Sequence, residues 1–517
     1  MSAGVLSIGT PPVGGAMPPA DVVQVAARLA DQRWRLNNLY RITDEQGQDV
    51  VFSPNWAQRS LYNDMHTYNL ILKARQLGIT TFISLLALDL AIFNPNFSAG
   101  FITYIRGEAE VIFRGKIRRT YDKLPEAVQR LAPIVKETAS EVEFANGSSI
   151  RVGQSFRGGT LRLLHVSELG KIATKFPEKA KEIVTGAFGA VHAGGNIFVE
   201  STAEGRGGAF YEMVKRAQAD RDAEKKPGPL DFKLFFYPWW KNPSYQLPPP
   251  PGFVAPEHIS EYRGRLLKEE GIELSPEQVC WYSAKEKLLG DDMLREYPAT
   301  EDEAFDAAVE GAFYAKEIAA ARREKRIGKV AYEPDLPVHT GWDLGVDDAT
   351  SIWFFQVYRR EVRFIDYLED SGEGLAYYAR MLQERKYVFG EHYAPHDIRV
   401  REMGTGKTRL AMASALGINF QIAPKLAVAD GVEQVRTLLV RASFDEEKCE
   451  KGLAALQNYR REWDEKLGVY KPRPLHDWAS NGADAMRIVA TGMKPPEDPR
   501  PTSRHAREQH PLSWMAS

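Results

Sequence analysis

The sequence is poor in the features that mark secreted, cysteine-rich and membrane-embedded proteins. Its 517 residues include only two cysteines, Cys280 and Cys449, which lie far apart. This argues against a disulfide framework and against a cysteine-rich zinc site, and it indicates a reducing cytoplasm. The longest apolar run, residues 80–93, is too short to span a bilayer and contains Asp89. We therefore expect no membrane association.

A strong excess of either charge is also absent. The formal net charge is −2, so the overall charge does not indicate a nucleic-acid partner. Two local runs are basic, RGKIRR at 114–119 and RREKRIGK at 322–329, and a solvated helix face explains each of them better than a nucleic-acid contact does. The first 20 residues contain no Lys or Arg and are rich in Gly and Pro. They predict a flexible leader and not a signal peptide.

Proline and the pattern of apolar runs predict how the chain is divided. Four consecutive prolines at 248–251 cannot continue a helix or a central strand. Before them, buried strands at 69–73, 161–168 and 195–202 alternate with helices and end in polar residues, as in an α/β sheet that binds ligand beyond its carboxyl ends. The expected segments are a leader and N-terminal helix (1–44), an ATPase-like α/β domain (45–235), a linker region (236–330), a second α/β domain (331–493) and a loose tail (494–517).

Two stretches compete as the phosphate-binding loop. The stretch GTGKT at 404–408 ends as such loops do, but Arg401 stands at its first glycine position and the preceding segment is no buried strand. The stretch KARQLGIT at 73–80 lies between an apolar strand and a helix, but it has Ile79 at the lysine position. Lys73 could reach back to the phosphates, and Arg75 offers a second cation. If the loop has the ordinary shape, a lysine introduced at Ile79 is expected to restore some of the activity lost in Lys73→Ala.

A series of motifs in order along the chain resembles one protein family. KARQLGITT resembles the variant Walker A motif of the large terminase subunits of tailed bacteriophages, in which the lysine often comes early. The remaining matches are FSPNWAQ (52–58) to the adenine-binding segment, FRGGTLRLLHVSE (156–168) to Walker B, GNIFVESTAEG (195–205) to the coupling motif and REYPATEDEAF (295–305) to the end of the lid region. The resemblance covers about residues 45–490 and implies a P-loop ATPase domain of the ASCE (additional strand, catalytic E) type, followed by a lid within 236–330.

The same resemblance implies the residues of an ATP site with Mg²⁺. Glu168 would be the catalytic base, and Arg157 would be an arginine finger that reaches the nucleotide of a neighbouring subunit. One departure stands out, because Ser167 occupies the position of the usual Walker B aspartate. Metal affinity is then weaker, or another carboxylate substitutes. The expected nucleotide-binding residues are Gln58, Lys73, Arg75, Gln76, Gly78, Thr80 and Thr81, with the Thr80 hydroxyl on the metal.

Three aspartates in the second half predict a nuclease. The runs that begin at residues 338, 350 and 361 alternate like adjacent antiparallel strands, as at the start of a ribonuclease-H-like fold. Asp343 would lie on the first strand, Asp397 after a later strand, and Asp484 at the opening of the last helix. Such acids hold two divalent metals that activate water, and oxygen ligands suit Mg²⁺ or Mn²⁺. The three also match the nuclease motifs of large terminases. Other residues keep two interpretations, metal-site assistance or a structural role: Asp347, Asp348, His476 and Asp477.

The resemblance implies an ATP-driven motor that moves double-stranded DNA into a procapsid and cuts concatemeric DNA. The family acts in the host cell cytoplasm as a ring, expected to be a pentamer, on a portal protein and with a small terminase subunit. Two other interpretations remain: a ribonuclease-H-like recombinase or resolvase with a non-hydrolysing ATPase domain, and a DNA-binding scaffold without activity. Lys407 and Arg409 of the GTGKT stretch would contact a DNA phosphate or belong to a structural turn.

Overall fold

In the computed structural model the chain forms two compact units, residues 1–312 with 462–471 and residues 313–461 with 472–517. The structure describes residues 20–493 except 45, 105–106, 108–110, 154, 157–159, 306–310, 346–348, 400–407, 465–466 and 468. The tail expected at 494–517 and most of the expected leader lie outside the described residues. Within the described ranges, no helix is long and apolar enough to cross a membrane.

The first unit is built on a mainly parallel sheet. Its strands are β1 Arg41–Thr43, β2 Asp49–Val51, β3 Tyr68–Lys73, β4 Ser98–Ile102, β5 Ile134–Glu137, β6 Glu141–Phe144, β7 Ser149–Gly153, β8 Leu161–Ser167, β9 Val191–Ser201 and β10 Phe232–Tyr237. The sheet order is β10-β3-β9-β8-β4-β7-β6-β5, and β1 pairs separately with β2. Strands β10 to β7 run parallel, whereas β6 and β5 are antiparallel to their neighbours. Strand β9 lies between the loop strand β3 and β8, which confirms the ASCE-type fold.

Helices cover this sheet because its central strands are apolar on both faces. Leu70, Ile71 and Leu72 of β3 are fully buried, as is usual in a parallel sheet between helical layers. The helices are α1 Ala20–Ala30, α2 Gln32–Asn38, α3 Trp56–Asp64, α4 Ile79–Phe93, α5 Arg119–Asp122, α6 Glu126–Gln129, α7 Leu169–Lys175, α8 Pro177–Glu182, α9 Gly208–Asp222, α10 Glu257–Glu270, α11 Pro276–Leu289, α12 Met293–Glu296 and α13 Glu301–Ala304. Two π-helical segments are Ile112–Arg118 and Ile183–Ala187, and 3₁₀ turns are Phe188–Ala190, Trp239–Lys241 and Gly290–Asp292.

The second unit has a mixed sheet in the order β11-β17-β14-β13-β12-β15-β16. Its strands are β11 Ile327–Gly328, β12 Val338–Asp343, β13 Ala349–Tyr358, β14 Glu361–Ser371, β15 Phe389–Ala394, β16 Phe420–Ile422 and β17 Ala442–Asp445. A separate pair, β18 Arg461–Asp464 with β19 Val469–Pro474, lies mostly in residues 462–471, which belong to the first unit. Strands β12, β13 and β14 form an antiparallel meander, and β15 and β16 run parallel to β12. This arrangement confirms the ribonuclease-H-like expectation.

The last helix of the second unit lies close against the first strand of the meander. The helices are α14 Ala315–Arg323, α15 Leu375–Glu384, α16 Arg409–Ala415, α17 Val428–Leu439, α18 Glu450–Asn458 and α19 Trp478–Gly492, with a 3₁₀ turn at His396–Arg399. A Cβ atom on Gly341 of β12 would lie 2.2 Å from a Val489 methyl of α19, so the contact requires glycine. Helix α14 packs into this unit's core through Ile318, as does its N-cap residue Tyr314, and the compact unit begins at Phe313.

Candidate functional site

The loop between β3 and α4 adopts a conformation that its own sequence makes possible. Gln76 and Gly78 have φ angles of 59° and 68°, in the left-handed region. Gly78 caps α4, and a Cβ atom there would lie 2.7 Å from Nε2 of Gln58. That amide donates to the Gly78 carbonyl at 2.8 Å, while Oε1 of Gln58 accepts from the backbone of Asn55. Gln58 therefore supports the loop, and its predicted contact with the nucleotide base stays a prediction.

Lys73, the last residue of β3, points its ammonium at two carboxylates. Its Nζ lies 3.5 Å from Oε1 of Glu168 and 3.7 Å from Oε2 of Glu200, and its side chain is 8% exposed. Burial lowers the pKa of Lys73, but the charges of Glu168 and Glu200 outweigh burial and raise it. The loop thus has a charged ammonium at its first position, although the usual lysine position holds Ile79.

The burial of Ile79 bears on one expectation about this loop. Ile79 is 1% exposed and belongs to the main apolar core of the first unit. A lysine at this position would place an ammonium among apolar side chains, which disfavours the charged form. This burial argues against rescue of Lys73→Ala by Ile79→Lys, which stays a prediction.

Glu168 follows β8 directly and has a φ of 58°, which is strained for a residue with a side chain. Its backbone N–H donates to the Glu200 carbonyl at 2.7 Å, which fixes the turn. Its side chain is 19% exposed, with Oε1 near Lys73 and Oε2 3.5 Å from Lys171. A partly exposed carboxylate beside the loop cation is where a base for the attacking water is needed.

Glu200 lies within the motif GNIFVESTAEG, but the sequence did not identify it as a site residue. It lies on β9, paired with Ile71 of β3 on one side and with Ser167 of β8 on the other, and it is fully buried. Its Oε1 accepts a hydrogen bond from the Thr80 hydroxyl and lies 3.0 Å from Nε2 of His165. Burial raises the pKa of Glu200, but the charge of Lys73 and the His165 hydrogen bond bring it down to about 2. The available sequence signal was a glutamate near the polar end of the buried strand in the motif GNIFVESTAEG.

The remaining loop residues differ in how closely they are held. Nη1 of Arg75 pairs with Oε2 of Glu296 at 3.3 Å, and its side chain is 54% exposed. The Thr81 hydroxyl accepts a hydrogen bond from Nζ of Lys116, a residue of the basic run at 114–119. Burial lowers the pKa of Lys116. Arg157, the expected arginine finger, lies outside the described residues.

A cavity of about 420 Å³ adjoins the loop. Asn55, Trp56, Gln76, Tyr245 and Tyr297 are among the residues that line it. Its volume is within the range of ligand pockets, roughly 300–1,000 Å³, and aromatic rings suit a flat base. The segment around FSPNWAQ thus contributes to a pocket next to the phosphate loop, as the motif order indicates.

The groups around the loop fit a magnesium–nucleotide complex. Magnesium prefers hard oxygen donors, and Thr80 Oγ1 and a carboxylate are adjacent here. Oε2 of Glu200 is buried and has no hydrogen-bond partner, so an oxygen is left over for a cation or its water. Lys73 and the N-terminus of the 15-residue helix α4 supply positive charge for phosphates.

In the second unit, Asp343 and Asp484 lie in one neighbourhood. Asp343 ends β12, and Oδ1 of Asp484 accepts from the Tyr459 hydroxyl at 3.3 Å and from Arg487 at 2.7 Å. The negative charges of both aspartates act on Tyr459 and on Arg487. Burial raises the pKa of Asp484, against the opposing charge of Arg487.

The position of Asp484 in its helix differs from the prediction. It lies inside α19 and does not open it, because Asp477 is the N-cap and binds Arg460 at 3.0 Å. Asp477 therefore has a structural partner and starts the helix. The helix is placed against β12 by the Gly341 contact, and so it carries Asp484 towards the end of that strand.

Asp397 is exposed and lies at the edge of the sheet where β12 ends. It lies in the 3₁₀ turn after β15, which runs parallel to β12, so the two strands end at one edge. Among the described residues, no three His, Cys, Asp or Glu side chains are close enough together to hold a metal ion. The three aspartates as one metal site remain a prediction. Asp347, Asp348 and Lys407 lie outside the described residues.

The residues that pair across the strands with Asp343 include one acid, Glu369, that the sequence did not indicate. Asp343 pairs with Ser351 of β13, which pairs with Glu369 of β14. The Tyr367 hydroxyl donates to Oε2 of Glu369 and lies 3.0 Å from Oγ of Ser351. The register of the meander, which single residues do not reveal, brings Glu369 onto the same row as Asp343.

Comparison with known proteins gives matches only among solved structures. No protein-family model matches the chain, and no curated protein does. A large terminase from a thermophilic bacteriophage matches at 14% identity over 85% of this chain and 98% of its own, with a TM-score of 0.30. The Thermus phage P74-26 large terminase ATPase domain matches at 15% identity over 48% of this chain and 94% of its own, with a TM-score of 0.29. The P22 large terminase nuclease domain matches at 15% identity over 32% of this chain and 88% of its own, with a TM-score of 0.27. Similarity at this level does not by itself carry a function.

Proposed function

We propose that this chain is a large terminase subunit, an ATP-driven motor that packages double-stranded DNA and cuts it with a metal-dependent nuclease. The observation that carries the proposal is the cluster at one end of an ASCE-ordered sheet, in which Lys73 contacts Glu168 and Glu200 and the Thr80 hydroxyl bonds to Glu200. The same chain contains a ribonuclease-H-like sheet, and Asp343 and Asp484 lie in one neighbourhood of that unit. An ATPase and a nuclease on one chain are the two activities that packaging needs.

In the proposed ATPase reaction the residues around the loop divide the work. Lys73 and the N–H groups of the loop hold the β- and γ-phosphates, and Thr80 holds the magnesium ion. When bound, the ion neutralises charge that develops on the phosphates. Glu168 orients and polarises the attacking water, because its carboxylate is partly exposed beside Lys73. Arg157 of a neighbouring subunit supplies a further positive charge.

In the proposed nuclease reaction Asp343, Asp397 and Asp484 hold two Mg²⁺ or Mn²⁺ ions. When bound, such ions would supply the positive charge needed to activate a water and to stabilise the leaving oxygen of the DNA backbone. Oδ1 of Asp484 is held by Tyr459 and Arg487. A divalent ion would compete with Arg487 for this carboxylate with two positive charges against one.

The assembly follows from the same proposal. The chain acts in the host cell cytoplasm as a homo-oligomeric ring, a pentamer, on the portal protein of the procapsid. A small terminase subunit selects the DNA. The motor's reaction couples ATP hydrolysis to DNA translocation, and the nuclease separates one genome length from the next.

The rival function is a ribonuclease-H-like recombinase or resolvase whose first unit does not hydrolyse ATP. The charged Lys73 beside Glu168 favours hydrolysis. The deciding experiment measures ATP turnover of the purified chain with DNA, alone and with procapsids that carry a portal. We expect turnover that procapsids increase. Metal-dependent DNA cleavage with no ATP turnover under any of these conditions would favour the recombinase or resolvase.

A further inference from the structure

In the proposed ATP site, the strand that usually ends in an aspartate has no carboxylate at that position, whereas the neighbouring strand has one. Ser167 ends β8, where the usual aspartate that organises magnesium would be, and it is 6% exposed. A serine hydroxyl brings no charge to balance the ion. The neighbouring residue in the sheet is Glu200 of β9, in direct register with Ser167. Its carboxylate therefore starts from the adjacent strand and, being one methylene longer than an aspartate, can cover the place that Ser167 leaves open.

The carboxylate of Glu200 contacts the loop residues Thr80 and Lys73 as well as the buried His165. One oxygen accepts from the Thr80 hydroxyl, which is the loop's metal ligand in the proposed function. The other oxygen lies 3.7 Å from Nζ of Lys73, is buried, and has no hydrogen-bond partner. Buried carboxylate oxygens are normally satisfied by donors. This one is left open beside the residues that would hold the phosphates.

We propose that Glu200 replaces the missing Walker B aspartate and organises the magnesium ion of the bound nucleotide together with Thr80. The inference rests on the proposed function, since it concerns the same ATP site. It divides two roles between neighbouring strands: Glu200 of β9 serves the metal, and Glu168 after β8 serves the attacking water.

A purely structural role for Glu200 predicts something different. In that role Glu200 only balances the charge of Lys73 and accepts from His165. Its removal would then weaken nucleotide binding to the same extent with and without magnesium. The metal role predicts that removal weakens binding only where magnesium is present, because the carboxylate interacts with the ion and not with the phosphates.

The test measures the affinity for ATPγS by calorimetry, in Mg²⁺ and in EDTA, for the full chain. In Glu200→Gln we expect the ratio of the two affinities to fall at least tenfold, as the loss of a charge-assisted contact predicts. Glu168→Gln is the matched control, because it makes the same charge change and its carboxylate also contacts Lys73. It should lose hydrolysis but keep the magnesium ratio of the wild type.

Two further variants keep the test decisive. Ser167→Asp in the Glu200→Gln background returns a carboxylate to the usual strand and should restore much of the magnesium ratio. If Glu200→Gln does not fold, Glu200→Asp takes its place, since it keeps the charge and draws the carboxylate back by one methylene. It should bind Mn²⁺ in the nucleotide complex more weakly than the wild type, as measured by electron paramagnetic resonance.

The outcomes separate the inference from the function on which it rests. An unchanged magnesium ratio in folded Glu200→Gln, or unchanged Mn²⁺ binding in Glu200→Asp, would overturn the role of Glu200 and leave the ATPase proposal standing. A wild-type chain that binds no ATPγS in Mg²⁺ would overturn both. A lowered ratio that Ser167→Asp restores would support the inference.

Discussion

Removal of the Lys73 ammonium is the change that affects the proposed ATP site most strongly. The ammonium contacts Glu168 and Glu200 and is the loop's own lysine. A charge-assisted contact is worth roughly 1.5–3 kcal/mol, so the loss of even one phosphate contact in Lys73→Ala predicts at least a tenfold drop in kcat/KM for ATP. The assay is steady-state phosphate release by the full chain in the presence of DNA.

The same change should lower the stability of the first unit. A pKa of Glu200 lowered from 4.5 to about 2 corresponds to about 3 kcal/mol of stability at neutral pH, and the charge of Lys73 is the largest favourable cause. Because the folded pKa is the lower one, this stability is present above pH 4.5 and is lost as the pH falls through about 2. Lys73→Ala should thus lower the melting temperature at pH 7 by several degrees and have less effect near pH 3.

Lys136→Ala is the matched control for this change. Lys136 also contacts two glutamates, Glu141 at 3.1 Å and Glu143 at 2.6 Å, but its side chain is 52% exposed at the sheet edge. Exposed pairs contribute little, so turnover and melting should stay close to the wild type. The reasoning would be refuted by near-normal turnover in Lys73→Ala beside a dead Lys407→Ala, since the nucleotide would then belong to the GTGKT stretch.

Three other predictions concern the nuclease, the loop and a buried acid. Asp343→Ala, Asp397→Ala and Asp484→Ala should each abolish plasmid cleavage in Mg²⁺ or Mn²⁺ with ATP turnover largely kept; near-full cleavage by one variant would remove that residue from the site. Gly78→Ala should lower the melting temperature and the turnover, because the φ of Gly78 is 68° and a Cβ atom would lie 2.7 Å from Gln58. The control Gly271→Ala, at a φ of 66° and with no atom within 4 Å, should cost only the backbone strain of about 1–2 kcal/mol. Equal effects of the two variants would contradict the role of the Gln58 contact. Burial raises the pKa of Glu204 to about 7, so its contribution to stability is lost as the pH rises from 4.5 through 7. Glu204→Gln should therefore raise the melting temperature at pH 8 but not at pH 4. The same change in melting temperature at both pH values would contradict the burial of its charge.

Much of the fold could be predicted from the sequence because apolar runs and motif order are local properties. Lys73 ends β3 and Glu168 follows β8, as the motifs indicate. The meander that begins at Val338 and the parallel strand after it were also predictable, since alternation and length identify strands. The ASCE order followed from the resemblance, and the structure shows it directly.

The rest depends on strand pairing and burial, which sequence spacing does not reveal. Glu200 meets Thr80 only because β9 is inserted between β3 and β8. Ile79 stands at the lysine position of the motif, yet its side chain packs in the core. Asp484 lies inside its helix because Asp477, seven positions earlier, supplies the N-cap. The two compact units divide at Phe313, where an aromatic residue joins the second core, a position that the run of prolines does not mark.

The most direct test of the central claim is a packaging reaction with purified procapsids that carry a portal, linear double-stranded DNA and ATP, read out as DNA that becomes protected from added nuclease. The account predicts protection with the wild-type chain and with the nuclease variant Asp343→Ala, and no protection with Lys73→Ala or with ATPγS in place of ATP. Protection that persists in Lys73→Ala, or none with the wild type although it hydrolyses ATP and cuts DNA, would contradict a packaging motor driven from the Lys73 loop.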